Sequence, residues 1–444
     1  MPDAISVASF TSLLQAFTAC FTAPSFETFA VLMSGWMLNL RRHTVTGTVQ
    51  AAQAVGYKHI SSFHRFFSQA EWQLDAVSLV LLKLIVANLL DPDEPILAPV
   101  DDSLGRHNGK KIAAASMHRD PLLSTAKRPQ FHWGHVWVVL AINVHAFGKV
   151  WALPVLFRLY RSKKLCKAQK RPHRKSTELA RELIELLARA LPERKLIVLG
   201  DAAYTNRAVM RQRPSNVTVI GRCRLDAALY APPPAPRRGQ KGRPRTRGQR
   251  LPSPGQLAKS KKARWQRVEV TVYGKTVVVR VLVIDALWYV ATHSELVRLV
   301  LVRGFPGHKH DDVFVCTDPT LDPKTIIERF SRRWPLEVTF HDSKGKLGFE
   351  EPQNRTERAV ERTAPMALLA YSFVVLWYIK SGQHLRVARL VTTPWYASKT
   401  APAFSDMLAA LRRASWLERL SVPCANVSTL RKLMRPIVAY AAAA

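Results

Sequence analysis

The sequence predicts an α/β protein built on a mixed sheet flanked by helices, with a helical amino-terminal domain and a β-rich insertion. Three observations carry this. Two short apolar runs of strand character, ILAPV and KLIVLG, each end in carboxylate, the first at Asp101 and Asp102 and the second at Asp201. Between them lie a hairpin pattern and one amphipathic helix, the order that a crossover between neighbouring parallel strands requires. Up to Leu90, by contrast, the apolar period is helical, with no strand alternation.

Composition bounds the function. At 444 residues and 48% hydrophobic content the chain can bury one or more full cores. Lysine and arginine number 66 against 32 acids, a formal charge of +34. That excess favours a polyanionic partner, nucleic acid first and an anionic membrane surface second. Cys20, Cys166, Cys223, Cys316 and Cys424 form no CxxC and no His-paired spacing, which argues against a zinc site or a disulfide framework and for a reducing compartment. The apolar run Met366–Ile379 is shorter than the roughly 20 residues that span a bilayer, so it reads as a buried helix. The amino terminus lacks the basic-then-apolar order of a signal peptide, and a cytoplasmic protein without a membrane partner is expected.

Residues 1–92 read as the helical domain, with broad apolar helices in FETFAVLMSGWMLNL and Leu74–Leu90. Between these, Thr44 and Thr46 offer cap and turn chemistry, and His59–Phe67 reads as a short helix near Lys58, His64 and Arg65. A helix-turn-helix DNA reader and an ordinary packed bundle both fit. Residues 93–225 open with the strand ILAPVDDS, followed by a polar, basic loop from Arg106 to Pro129. HVWVVLAINV and VWALPVLFRLY then form a hairpin through HAFGK, Ser176 caps the helix TELARELIELLARALP, and KLIVLGDAAYT is a buried strand. A short basic helix at Arg207–Arg213 and the strand NVTVIGRCRL complete this part.

Residues 226–321 begin with a proline-, glycine- and arginine-rich arm, Ala231–Arg267, with no acid between Asp226 and Glu269. Its Arg237, Arg238, Lys241, Arg243, Arg245 and Arg247 read as phosphate-binding cations, or as the charges of a solvated linker. The strands VEVTVYG, TVVVRVLVI, LVRLVLVRG and DDVFVCTD follow as an inserted β-rich unit. Residues 322–385 hold a helix begun by Asp322 or Thr325 and a second one past Gln353; residues 386–444 read as helical.

The stretch FSRRWPLEVTFHDSK, Phe330–Lys344, carries the remaining chemistry. At about 100° per residue, Phe330, Arg333, Glu337 and Lys344 fall within about 60° of one another on a helix. Alone, that is a solvated face with an i,i+4 Arg–Glu pair, and Pro335 predicts a kink or a restart just before Glu337. The strand-end acids change its meaning. Parallel strands about 4.8 Å apart would let Asp102 and Asp201 share one ion. Three carboxylates from separate elements are what a two-metal phosphoryl-transfer site needs, and Mg²⁺ prefers such oxygen ligands. Arg333 and Lys344 would hold phosphates beside the scissile bond.

These residues resemble the DDE transposases of bacterial insertion sequences, in particular the group whose third acid lies in a Y-(2)-R-(3)-E-(6)-K signature. Phe330, Arg333, Glu337 and Lys344 match the spacing, with phenylalanine where the group has tyrosine. VDDS resembles the group's first acid followed by a hydroxyl residue, which selects Asp102 over Asp101, and LGDAAYTN resembles the second, Asp201. The resemblance covers roughly Ile96 to Phe349. It implies a ribonuclease-H-like catalytic domain interrupted by the β-rich insertion. It implies catalytic and metal-binding roles for Asp102, Asp201 and Glu337, with Mg²⁺ or Mn²⁺ bound as two ions. The expected activity is DNA cleavage at element ends followed by strand transfer. The expected partners are double-stranded DNA, as terminal inverted repeats and target, and further copies of the chain in a dimer or larger synaptic assembly, located with the bacterial nucleoid. Phenylalanine at 330 lacks a hydroxyl that the group's pattern places near a phosphate. The alternative is a catalytically silent, transposase-derived DNA-binding protein, against which the complete acid set argues.

Overall fold

A computed structural model describes residues 6–125, 127–235, 243–386, 388, 390 and 398–420. The chain opens with helices α1 (Ala8–Gln15), α2 (Ala23–Leu38), α3 (Val45–Ala51), α4 (Ile60–Ser68) and α5 (Leu74–Leu89). Thr44 caps α3, its hydroxyl accepting the Gly47 N–H at 3.0 Å. Helix α4 turns Phe63, Phe66 and Phe67 inward and leaves His59, His64 and Arg65 in solvent. The connection between α3 and α4 runs from Ala52 to His59, longer than the turn of about three to four residues in a helix-turn-helix.

The sheet strands are β1 (Ile96–Arg106), β2 (Ser116–Arg119), β3 (Phe131–Ala146), β4 (Lys149–Tyr160), β5 (Leu196–Gly200) and β6 (Val217–Arg222), then β7 (Gln266–Val272), β8 (Lys275–Leu287), β9 (Leu296–Arg303) and β10 (Asp312–Cys316). Between and after them lie α6 (Lys163–Ala168), α7 (Ser176–Ala190), α8 (Arg207–Met210), α9 (Pro254–Lys259), α10 (Tyr289–Thr292), α11 (Pro323–Ser331), α12 (Pro335–Leu347), α13 (Glu357–Lys380) and α14 (Phe404–Leu420). Among the described residues the strands form one ten-stranded sheet in the order β2-β3-β1-β5-β6-β10-β9-β8-β7, with β4 also on β3. Strands β5 and β6 run parallel to β1, and the other pairings are antiparallel. The run β4-β3-β1-β5-β6, with helices on its faces, fits the ribonuclease-H-like fold expected.

Local chemistry sets the tight turns. Phe147 and Gly148 join β3 to β4 with φ of 56° and 68°, and Tyr273 and Gly274 join β7 to β8 with φ of 53° and 75°. Two successive left-handed residues are what a two-residue hairpin requires. Helix α7 begins at Ser176 itself; Glu178 Oε2 accepts the Lys175 N–H at 2.8 Å, so the cap lies one residue earlier than expected.

Three expectations change. The loop Arg106–Pro129 contains β2, which pairs with β3 through Met117↔Trp133 and Arg119↔Phe131. The β-rich insertion is no separate layer: β10 pairs with β6, so β7–β10 lengthen the main sheet. The basic arm is partly built in. Leu229 and Ala258 are buried, and Ala231 and Gly248 exchange backbone hydrogen bonds with Gln249 and Ala231 at the arm's base.

The larger core joins the amino-terminal helices, through Phe10, Phe29 and Leu81, to β3, β4, α13 and α14. Helix α13 is long and apolar enough to cross a membrane, but here it is the buried helix expected, packed against β4, α2, α4, α5 and α12. Arg362 on α13 is 8% exposed and donates to the carbonyls of Phe66, Phe67, Ala70 and Trp72. It thereby serves the Phe67 carbonyl at the end of α4 and joins Trp72 Nε1 on that of Phe66. A second core on the other sheet face gathers Leu97, Ile197 and Leu199 under Ile326, Ile327 and Phe330 of α11.

Candidate active site

Strand β1 alternates strictly. Ile96, Ala98 and Val100 enter the larger core, while Leu97 enters the second one under α11. Asp102 therefore continues the face of Val100, and Asp101 that of Leu97. The parallel register with β5 pairs each residue with the one a hundred positions later, ending at Pro99↔Leu199. Extended by two residues, it sets Asp101 beside Asp201. The β1–β5 ladder stops there, but β1 itself runs on to Arg106, so the acids mark the end of the parallel pairing and not of the strand.

Asp102 was the first acid expected from the sequence; its side chain is turned to the other face. Its Oδ2 accepts the Tyr204 hydroxyl at 2.7 Å. Burial raises the Asp102 pKa, Asp201 adds to the rise, and the Tyr204 bond opposes it. Burial, with Asp102 beside it, also holds the Tyr204 phenol well above its usual range. Asp201 follows β5 directly, and its Oδ1 accepts the N–H of Ala203 at 2.8 Å and of Tyr204 at 3.2 Å, which fixes the carboxylate over its own turn.

The glutamate stretch is two helices. Helix α11 ends at Ser331, Arg332–Trp334 make a turn, and α12 restarts with Pro335 at its first position, where a missing N–H costs nothing. Asp322 caps α11 by accepting the Thr325 N–H at 2.9 Å. The restart places Glu337 in the first turn of α12, a favourable end for a carboxylate. It also splits the expected single face. Phe330 is 4% exposed and packs on Phe314 with centroids 4.4 Å apart, so it is a core residue and not a phosphate contact. Lys344 Nζ donates to the Leu104 carbonyl at 2.7 Å and lies 3.3 Å from Glu350, tying α12 to β1.

Arg333 joins the parts. Its Nη1 donates to Asp101 Oδ2 at 2.9 Å and its Nη2 to Glu337 Oε1 at 2.6 Å. Burial pushes the Asp101 pKa up to about 7, with Asp201 and Asp102 adding and Arg333 opposing. A carboxylate so placed ionises only where a cation stands beside it. Burial works against the Arg333 charge too, but Asp101, Glu337 and Asp201 together keep it protonated beyond the usual range. Among the described residues no three His, Cys, Asp or Glu side chains already converge as a metal cage. The donors are nonetheless hard oxygens whose negative charge exceeds the one guanidinium between them, and this chemistry suits Mg²⁺ or Mn²⁺.

A cleft of about 960 Å³ adjoins the Arg332–Trp334 turn, lined among others by Tyr273, Trp334, Lys149, Lys275 and His308. Of the arm cations, Arg237, Arg238 and Lys241 lie outside the described residues. Arg243, Arg245 and Arg247 are all exposed, and the Arg247 guanidinium also lies over the rings of Tyr230 and Tyr289, 4.4 Å and 4.8 Å from their centroids. Asp101 was named at the strand end but set aside for Asp102 on the resemblance, and Tyr204 was not singled out. Strand parity could have found Asp101, because Leu97, Pro99 and Asp101 repeat the positions of Ile197, Leu199 and Asp201. Nothing in the sequence pairs Tyr204 with Asp102.

A family model described as DDE superfamily endonuclease matches residues 16–277, which include Asp101, Asp102 and Asp201 and stop short of Glu337. A search of curated proteins gave no match.

Proposed function

The chain belongs to the DDE superfamily of endonucleases, and from that premise we propose that it is a transposase, cutting DNA at the ends of an insertion sequence and joining the 3′-hydroxyls to target DNA. The observation that carries this reading is the junction of Asp101, Arg333 and Glu337, which brings the glutamate helix onto the strand pair that bears Asp201. Asp101, Asp201 and Glu337 would hold the divalent ions, Mg²⁺ or Mn²⁺, with Asp101 taking the place first given to Asp102. Ions held there would supply activation of a water or a 3′-hydroxyl and stabilisation of the leaving oxygen of a phosphodiester. Asp102 positions: held by Tyr204, it locks β1, just past its pairing with β5, to the turn after β5. Arg333, once free of its two carboxylates, would hold a phosphate. The exposed arm arginines and the overall positive charge would hold the duplex, and synapsis would bring two or more copies together. The expected setting is the bacterial cytoplasm.

The test is nicking of a labelled element end by purified protein with Mg²⁺. Asp101→Asn, Asp201→Asn and Glu337→Gln should each lower the nicking rate by a factor of about 10³ or more while DNA binding persists, and Asp102→Asn should keep measurable nicking. Nicking that survives all three substitutions would remove the assignment. DNA binding without nicking by the unaltered protein would leave the silent DNA-binding reading.

A further inference from the structure

Arg333 makes an unusual choice of partners. One terminal nitrogen goes to Asp101, 232 positions away along the chain, and the other to Glu337, a single helical turn away. Its Nε is buried and makes no hydrogen bond, so among the described residues the guanidinium is anchored by those two carboxylates alone. The side chain is 15% exposed and springs from the turn that borders the open cleft. Asp201 acts on both Asp101 and Arg333 through its charge, so the one guanidinium faces three carboxyl groups.

We propose that Arg333 occupies the seat of a divalent cation between Asp101 and Glu337, and that it must swing out before an ion can enter. This rests on the reading of these acids as metal ligands. The physical reason is competition for the same oxygens. Buried carboxylates that face one another repel, and either a guanidinium or a divalent ion relieves this. An ion set between Asp101 Oδ2 and Glu337 Oε1 would meet the charge and volume of the guanidinium that lies there. The fork of Arg333 spans the two acids, which lets it keep α12 docked on β1 in the ion-free protein. Release frees the same guanidinium to take a DNA phosphate, so ion entry and phosphate capture become one movement. The latch thus favours loading when DNA is present, because a phosphate offers the displaced arginine a new partner.

The experiment is Mn²⁺ binding to the full-length, DNA-free protein, followed by calorimetry or by loss of the free-ion electron paramagnetic resonance signal. Arg333→Gln should bind Mn²⁺ about tenfold more tightly than the unaltered protein. Arg333→Lys, which keeps the charge but loses the fork, should fall between them. In EDTA the thermal midpoint of Arg333→Gln should be lower than that of the unaltered protein, and Mn²⁺ should raise it by more. A folded Arg333→Gln protein with equal or weaker Mn²⁺ affinity overturns the latch. If that variant fails to fold, Arg333→Lys decides alone, and affinity equal to or below that of the unaltered protein overturns it. Asp201→Asn separates the two ideas: if it leaves Mn²⁺ binding unchanged in every background, the carboxylate site itself fails, and the latch with it.

Discussion

Phe330 illustrates how spacing can be right and meaning wrong. Its distance from Arg333 and Glu337 fits the signature, yet the side chain belongs to the apolar layer between α11 and the sheet, against Phe314. The chain break at Pro335 decides this, because it frees α11 to follow its own amphipathic period. Phe330→Ala should therefore cost about 3–5 kcal/mol of stability, as removal of a buried ring does, and leave the DNA affinity of the folded protein unchanged. Urea midpoints and a binding titration in parallel would check both halves. Asp101 and Asp102 make the complementary point: neighbours in sequence, they face opposite sides of one strand and meet different partners, Arg333 and Tyr204.

Among the elements, the arm between β6 and β7 differs most from a free linker. Its base is pinned by Tyr230, which bridges to Arg250 and Leu287, and Arg247 is clamped between two tyrosine rings. The contact with the two rings orients the exposed Arg247 and gives the basic stretch a fixed root. Deleting residues 236–242 removes Arg237, Arg238 and Lys241 without touching that root. If each of the three holds a phosphate, the log–log salt slope of DNA binding should fall by up to about 2.7, at about 0.9 per contact. An unchanged slope would return this segment to the role of a solvated linker. The hairpins β3–β4 and β7–β8 were legible because their turns are set by residues next to one another. Strand β2 was not, because a strand of four residues in a polar loop has no period to read.

At the scale of the whole molecule, the site strand is braced by a buried histidine pair. His135 on β3 lies opposite Gly105 of β1, accepts from His107 Nε2 at its Nδ1 (2.9 Å) and donates from Nε2 to the Ala113 carbonyl at 2.8 Å. Burial, chiefly, lowers the His135 pKa to about 4, and burial also lowers those of His107 and His118. The neutral form is the folded one, so the unfolded chain binds more protons between about pH 4 and 6.5. The contribution is complete above about 6.5 and is lost as pH falls towards 4. For His135 it amounts to on the order of 3 kcal/mol. Asp101, whose raised pKa makes the folded chain bind a proton in the same window, acts in the opposite sense, so the check is a difference: on going from pH 7 to pH 5 the denaturant midpoint should rise less, or fall more, in the unaltered protein than in His135→Gln.

The sequence by itself determined the element order, the tight hairpins, the buried helix α13, the positive charge and the carriers of the acids, since each depends on residues close along the chain. The tertiary structure decided which acid of the Asp101–Asp102 pair faces Glu337, that Phe330 is core, that β7–β10 extend the main sheet, and that Arg333 spans two carboxylates. These depend on strand register, on the helix restart at Pro335 and on contacts more than two hundred residues apart along the chain, such as Arg333 with Asp101, 232 positions away. Local pattern carries no information about such pairs, because burial and pairing are set only when the separate elements close on one another.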